Sequence, residues 1–220
     1  MFDSRYFEFA GIAALLVLSP GATLAVVTET ALCYGRVAAL RTVAGVAIGN
    51  STLALASGLG MAIVLHRWPW ALEIVKAGGA VYLSYLGVRG LWFGLRGRTG
   101  LAPAGIRTDA ASRPDATPHT ADPSPWTHVA RGITTNLLNP PVILFYMTML
   151  PQFISQQDIF AARFFLLAAT HVAMSVLWQG SAGVAVDLVA GHFARPATRR
   201  VLEAVTGAVL VGLGARLFWG

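Results

Sequence analysis

Four stretches of this chain run for 19 to 24 residues without Asp, Glu, Lys or Arg: residues 9–27, 42–65, 132–154 and 164–186. Crossing the hydrocarbon layer of a bilayer takes roughly 20 mostly apolar residues in a helix, so each stretch is long enough to span it. Two further candidates are less clean. Residues 70–94 carry Glu73, Lys76 and Arg89, which confine the apolar core to residues 77–88, and residues 201–219 open beside Glu203 and close beside Arg216. The expectation is an all-α membrane protein with six transmembrane helices, at about 7–29, 42–65, 70–94, 132–154, 164–187 and 201–219. Only 12% of the residues are charged, against about 25% in soluble domains. That composition excludes a disordered chain, a collagen-like fibre and a nucleic-acid-binding domain, despite the net charge of +6. A single cysteine, Cys33, excludes an internal disulfide, a CxxC redox pair and a cysteine-rich metal site.

Residues 96–125 break the pattern, being rich in Pro, Ala, Thr, Gly and Arg with no apolar period. They read as a flexible connecting loop between a first half, residues 1–95, and a second, residues 126–220. With six spans the loops alternate sides. One side then receives Arg5, Arg67, Lys76, Arg163 and Arg216, and the other receives the remaining eleven basic residues, Arg36, Arg41 and Arg131 among them. Short loops rich in Lys and Arg stay in the cytoplasm. Both termini are therefore expected in the periplasm of a bacterial inner membrane, with the long loop cytoplasmic.

The two halves share a motif. Leu86-Gly87-x-Arg89-x-x-Trp92 and Leu213-Gly214-x-Arg216-x-x-Trp219 each close the third span of their half. Halves holding an odd number of spans must lie in opposite orientations, which gives two inverted three-helix repeats. The leading span of each half also contains proline: Pro20-Gly21 in the first, Asn139-Pro140-Pro141 in the second. Proline removes a backbone donor and frees the carbonyl four residues upstream, here those of Leu16, Asn136 and Leu137. Inverted halves with interrupted helices at matched places describe many secondary transporters, whose substrate binds where the helices break. Pro20, Gly21, Asn136, Asn139, Pro140 and Pro141 are the candidate substrate path. The alternative is a pair of simple kinks repaired by neighbouring side chains such as Thr134 or Thr135.

Asn50 joins the path candidates, since a primary amide inside a span needs a partner. Gly45 and Gly49, one turn apart, read as a close helix-packing face. Glu29, Asp187 and His171 are the proton-coupling candidates, because ionisable residues in spans are rare and face cavities and imidazole titrates near neutrality. For the two carboxylates the alternative is a solvated position paired with Arg36, Arg195 or each other; for His171 it is a hydrogen-bonded core residue. No second His, Cys or carboxylate stands at metal-ligand spacing from His171, and no metal or other cofactor is expected.

Together these landmarks resemble the LysE/RhtB family of amino-acid exporters. Pro20-Gly21-Ala22, then Tyr34-Gly35-Arg36, then Gly45 and Gly49 are similar to its opening block. Lys76 with Gly79-Ala80, Tyr82-Leu83 and Leu86-Gly87 resembles its third span. Gly132, Asn136, Asn139-Pro140, Phe145 and Leu150-Pro151-Gln152-Phe153 match its G-x-x-x-N-x-x-N-P-K-x-x-x-F…L-P-Q-F pattern, and residues 207–217 resemble its closing segment. Two positions depart: Ala22 stands for the second proline of P-G-P, and Pro141 for the lysine of N-P-K. The resemblance implies a secondary exporter of an amino acid or small derivative, driven by the proton gradient, with the bilayer and a small-molecule substrate as partners and no nucleic acid. Small-residue faces are compatible with a homodimer. A metal-ion or other small-solute exporter of the same superfamily is the alternative within transport. An intramembrane serine protease pairing Ser57-Gly58 with His171 is the alternative outside it; the serines lie scattered among small residues, and no enzyme activity is expected.

Overall fold

A computed structural model describes residues 2–19, 21–68, 70–96, 124–155, 157–186, 197, 201, 204, 205, 207–212 and 215. Among the described residues every regular element is helical. The first helix, α1 (Ser4–Leu18), is capped by Asp3, whose carboxylate accepts from the Tyr6 amide at 2.9 Å. An acceptor at this position satisfies an orphan amide and meets the positive end of the helix dipole. α1 stops at Ser19, which is extended (φ −66°, ψ 130°), and the chain restarts from an extended Gly21 as α2 (Ala22–Arg67). Pro20 lies outside the described residues. One expectation is corrected at this break: the Leu16 carbonyl is not left free, because the Ser19 amide donates to it at 3.2 Å and to Leu15 at 3.1 Å.

α2 is two helices joined at one residue. Gly35 sits at φ 82° and ψ 177°, a region in which essentially only glycine is comfortable. The chain reverses there. Val27 and Ala39 both lie 3.2 Å from the point where a Cβ on Gly183 would stand, yet twelve residues of continuous helix would hold them about 18 Å apart. Val26, Val27 and Ala31 of one arm therefore pack against Ala39 and Val43 of the other. No loop separates these arms. The second begins at residue 36 rather than 42, because the helix continues through charged turns that end a charge-free run: Arg36 and Arg41 stay exposed or half-buried on it. Gly35→Ala is expected to cost about 1–3 kcal/mol of stability, read as a lower thermal midpoint of the detergent-solubilised protein.

α3 (Ala71–Arg96) follows. At Gly87 a Cβ would stand 2.6 Å from the Val211 amide nitrogen and 2.7 Å from the Gly207 carbonyl, so α3 meets residues 207–211 backbone to backbone. Residues 97–123, most of the expected loop, lie outside the described residues. So do Asp187 and most of 198–220, where residues 201, 204, 205, 207–212 and 215 are helical.

The second interrupted helix begins earlier than residue 132. α4 (Pro125–Leu137) takes Pro125 in its first turn and carries Trp126 and Arg131 on exposed or half-buried positions. It ends at Leu138 and Asn139, the latter extended (φ −90°, ψ 102°), and α5 (Pro140–Leu144) starts on two prolines. Proline suits a first turn, where its missing N–H would have no partner anyway. Here too an expectation is corrected: the Asn136 carbonyl accepts from the Asn139 amide at 3.1 Å. α5 runs into a π-helical turn (Phe145–Met149) and a 3-10 turn (Leu150–Phe153). α6 (Phe160–Val184) closes the described bundle.

α4 and α6 both pack on α2. The tightest crossing is Gly45 against Gly132: a Cβ on Gly45 would collide with the Val129 carbonyl, and one on Gly132 with the Thr42 carbonyl and the Val46 amide. Around α6 the core is aromatic, with Phe9, Phe145, Phe153 and Phe164 in one cluster. Gly58 leaves room for Phe164, whose Cδ1 lies 2.8 Å from where a glycine Cβ would stand. Large apolar side chains such as Ile63, Val81 and Leu177 point outward, an exposure that suits lipid and not water.

Candidate functional site

α6 carries His171, Ser175 and Gln179 at intervals of four residues, which places them on one face of the helix. All three are buried. Around them the polar side chains of three elements form a connected row. Gln179 Nε2 donates to Ser175 Oγ at 3.0 Å and to Thr23 Oγ1 at 3.3 Å. Asn50 Nδ2 donates to Ser175 Oγ at 3.4 Å, and Asn136 Nδ2 donates to Asn50 Oδ1 at 3.1 Å. Thr23 stands in the first turn after the Ser19–Gly21 break, and Asn136 in the last turn before the Leu138–Asn139 break. The row joins the two interruptions.

The row is short of donors. Ser19 Oγ at the first break, Asn136 Oδ1 at the second and Gln179 Oε1 between them are shielded from solvent with no hydrogen-bond partner among the described residues. A buried acceptor without a donor costs about 1–3 kcal/mol, and such groups are few in native structures. Carboxamide oxygens left open in this way suit a ligand that brings N–H groups, and an ammonium group brings three.

His171 extends the row by one turn. Its Nδ1 meets Tyr146 Oη at 2.9 Å, and its ring lies over Phe145 with centroids 4.2 Å apart. The π-helical turn makes this possible by aiming two consecutive side chains at one imidazole. π-bulges inside helices recur at functional sites. No serine hydroxyl bonds His171 among the described residues, so the pairing with Ser57 that a protease needs is not formed.

The remaining expected residues are distributed as follows. Gly21 is half-buried at the first break; Asn139 is half-buried and Pro140 and Pro141 are exposed at the second. Gly49 abuts Asn136, whose Cβ lies 2.9 Å from where a glycine Cβ would stand, so the glycine admits that side chain to the row. Glu29 is 41% exposed and is bound by Arg131 at 2.8 Å; of the partners expected for it, Arg195 lies outside the described residues. Pro20 and Asp187 are not described. Thr23, Tyr146, Ser175 and Gln179 enter the site without having been singled out as candidates. The four-residue spacing of His171, Ser175 and Gln179 was the available signal for two of them. Among the described residues no three His, Cys, Asp or Glu side chains converge as a metal site would require.

The LysE type translocator family profile matches residues 14–220, covering both breaks, the row and the π-helical turn. The chain belongs to the LysE family. It is thus a membrane transporter and not an enzyme. Among its relatives is the membrane protein YrhP of Bacillus subtilis, 29% identical over 93% of this chain and 94% of the relative. The leucine efflux protein of Klebsiella pneumoniae is 28% identical over 97% and 94%. The threonine efflux protein of Salmonella typhi is 25% identical over 96% of each. No solved structure matches the chain. Membership accounts for the motif residues Gly132, Asn136 and Asn139-Pro140 in structural terms: the glycine sets the α2–α4 crossing, the first asparagine enters the row, and the last pair breaks the helix.

Proposed function

We propose that this LysE-family chain exports an amino acid or a small amino-acid derivative across the bacterial inner membrane, with the row between the two helix breaks as its substrate seat. The observation that carries the reading is the pair of buried carboxamide oxygens on Asn136 and Gln179 that have no hydrogen-bond partner among the described residues, acceptors suited to a substrate ammonium. The relatives named for leucine and threonine efflux support the same substrate class.

Gly21, Asn50, Asn136, Asn139, Pro140 and Pro141, with Pro20, form the substrate path in this proposal. The chain crosses the membrane six times as two inverted three-helix repeats, both termini periplasmic and the 96–125 loop cytoplasmic. Both ion pairs among the described residues join groups that this topology assigns to one side: Asp3 with Arg163, and Glu29 with Arg131. Export is driven by the proton gradient, with His171, one helical turn from Ser175, Glu29 and Asp187 as the coupling candidates. Tyr146 Oη lies 2.9 Å from Nδ1 and fixes the orientation of the imidazole.

The test is efflux from vesicles loaded in turn with leucine, threonine and homoserine. The double variant Asn139→Ala/Pro140→Ala removes the extended asparagine and one of the two prolines of the break and should lower export at least tenfold, with the protein still in the membrane. Undiminished export would remove the second break from the substrate path. Export that persists unchanged when the proton gradient is collapsed would remove the coupling assignment.

A further inference from the structure

The polar row sits between two ion pairs, and α6 measures how far apart they are. Arg163 lies in its first turn, Ser175 twelve residues on, and Gly183 eight residues beyond that. At 1.5 Å per residue, Arg163 stands about 18 Å from Ser175 along the axis, and Gly183 about 12 Å away on the other side. Arg163 donates to the Asp3 carboxylate, which ties the cap of α1 to the start of α6. That partnership holds the Asp3 carboxyl below its usual pKa. Tyr6 Oη and Thr170 Oγ1, 3.1 Å apart, add a second tie between the same helices. At the opposite end Gly183 packs on Val27, and two residues beyond Val27 stands Glu29, bound to Arg131 of α4.

Each ion pair thus bridges a helix that breaks beside the row to a second helix lining it. The material between row and ion pair differs at the two ends. Toward Arg163 come His171, Tyr146 and then the cluster of Phe9, Phe145, Phe153 and Phe164. Toward Glu29, among the described residues, lies a cluster of small aliphatic side chains, Val26, Val27, Ala31, Ala39, Val43 and Val186.

We propose that Asp3–Arg163 and Glu29–Arg131 are the two end latches of the transport cycle, and that the structure is the occluded state with both closed. Opening the Glu29–Arg131 latch parts small aliphatic contacts and exposes the row on that side; opening the Asp3–Arg163 latch exposes it on the other. The assignment rests on the reading of the row as the substrate seat, but its test needs no substrate and no transport.

A cysteine placed at position 175 in a Cys33→Ser background is the reporter, probed with a membrane-impermeant maleimide on right-side-out spheroplasts and on inside-out vesicles. With both latches intact, labelling should be slow from either side. Glu29→Gln/Arg131→Gln should raise the rate at least tenfold from one side only. Asp3→Asn/Arg163→Gln should raise it at least tenfold from the opposite side only. Each variant removes both partners, so that no buried charge is left uncompensated. A charge-exchanged Glu29→Arg/Arg131→Glu protein should return to slow labelling, which distinguishes a latch from a general loosening of the fold. Unchanged labelling in both neutralised variants, or acceleration from the same side in both, would overturn the proposal. Side-specific acceleration alongside undiminished efflux by an Asn136→Leu variant would leave the latches standing and count against the substrate seat.

Discussion

Asn50→Leu and Asn136→Leu should each abolish measurable efflux while leaving the protein in the membrane at near-normal abundance. Asn50 is the centre of the row. It accepts from Asn136 at 3.1 Å and donates to Ser175 at 3.4 Å, and it is 1% exposed. Replacing it by leucine leaves Asn136 without its partner and removes one donor from Ser175. A buried group stripped of its hydrogen bond costs about 1–3 kcal/mol, and each 1.4 kcal/mol is tenfold in an equilibrium constant. Ser175 keeps its donor from Gln179, so one group, the Asn136 amide, is stripped, and the row's bound geometry is disfavoured roughly tenfold to a hundredfold. Asn136→Leu acts differently. It deletes one of the open carboxamide oxygens and the donor to Asn50 Oδ1, with a side chain of similar shape in the space that Gly49 leaves. The two single variants and their double should not add, since the residues share one hydrogen bond. Initial efflux rates normalised to protein abundance check this; rates within a factor of two of wild type would show that the row is not used.

Gly132→Val should produce the largest loss of stability. A Cβ there collides with the Thr42 carbonyl and stands 2.9 Å from the Val46 nitrogen, and both obstacles are backbone. Neither can rotate away, so α4 must leave α2. Overpacking a close interface costs about 1–3 kcal/mol in ordinary cores. Here a whole helix crossing must shift, so the expected result is loss of folded protein from the membrane, or a thermal midpoint lowered by ten degrees or more. Gly60→Val is the control. A Cβ at Gly60 meets nothing within 4 Å, and the variant should behave as wild type.

Much of this arrangement was legible in the chain. The prolines at 20, 140 and 141 announced both interruptions, because proline cannot continue a backbone ladder whatever surrounds it. What sequence could not foresee is how the breaks are healed. Ser19 and Asn139 turn their amides back onto Leu16 and Asn136, so two of the carbonyls expected to bind substrate are occupied, and side-chain oxygens are open beside them. The second arm of α2 and α4 begin ahead of the charge-free runs for one reason. Both helices continue through the charged turns that end those runs. The single-residue reversal at Gly35 was hidden because Tyr34-Gly35-Arg36 reads equally well as a short loop. Glu29 was recognised as notable, yet its partner lies 102 residues away in sequence, and no local pattern specifies such a pairing. Tyr146 reaches His171 through a π-helical turn, which the sequence did not announce.

The central claim is that the carboxamides between the two breaks are where the exported amino acid sits. Solid-state NMR of proteoliposomes with side-chain 15N-labelled Asn and Gln tests it most directly, with leucine, threonine and homoserine added in turn. The account predicts that the carboxamide resonances of Asn50, Asn136 and Gln179, assigned by single substitutions, move with whichever of these amino acids the same sample exports. Resonances that stay fixed in a sample shown to be exporting that amino acid would contradict it.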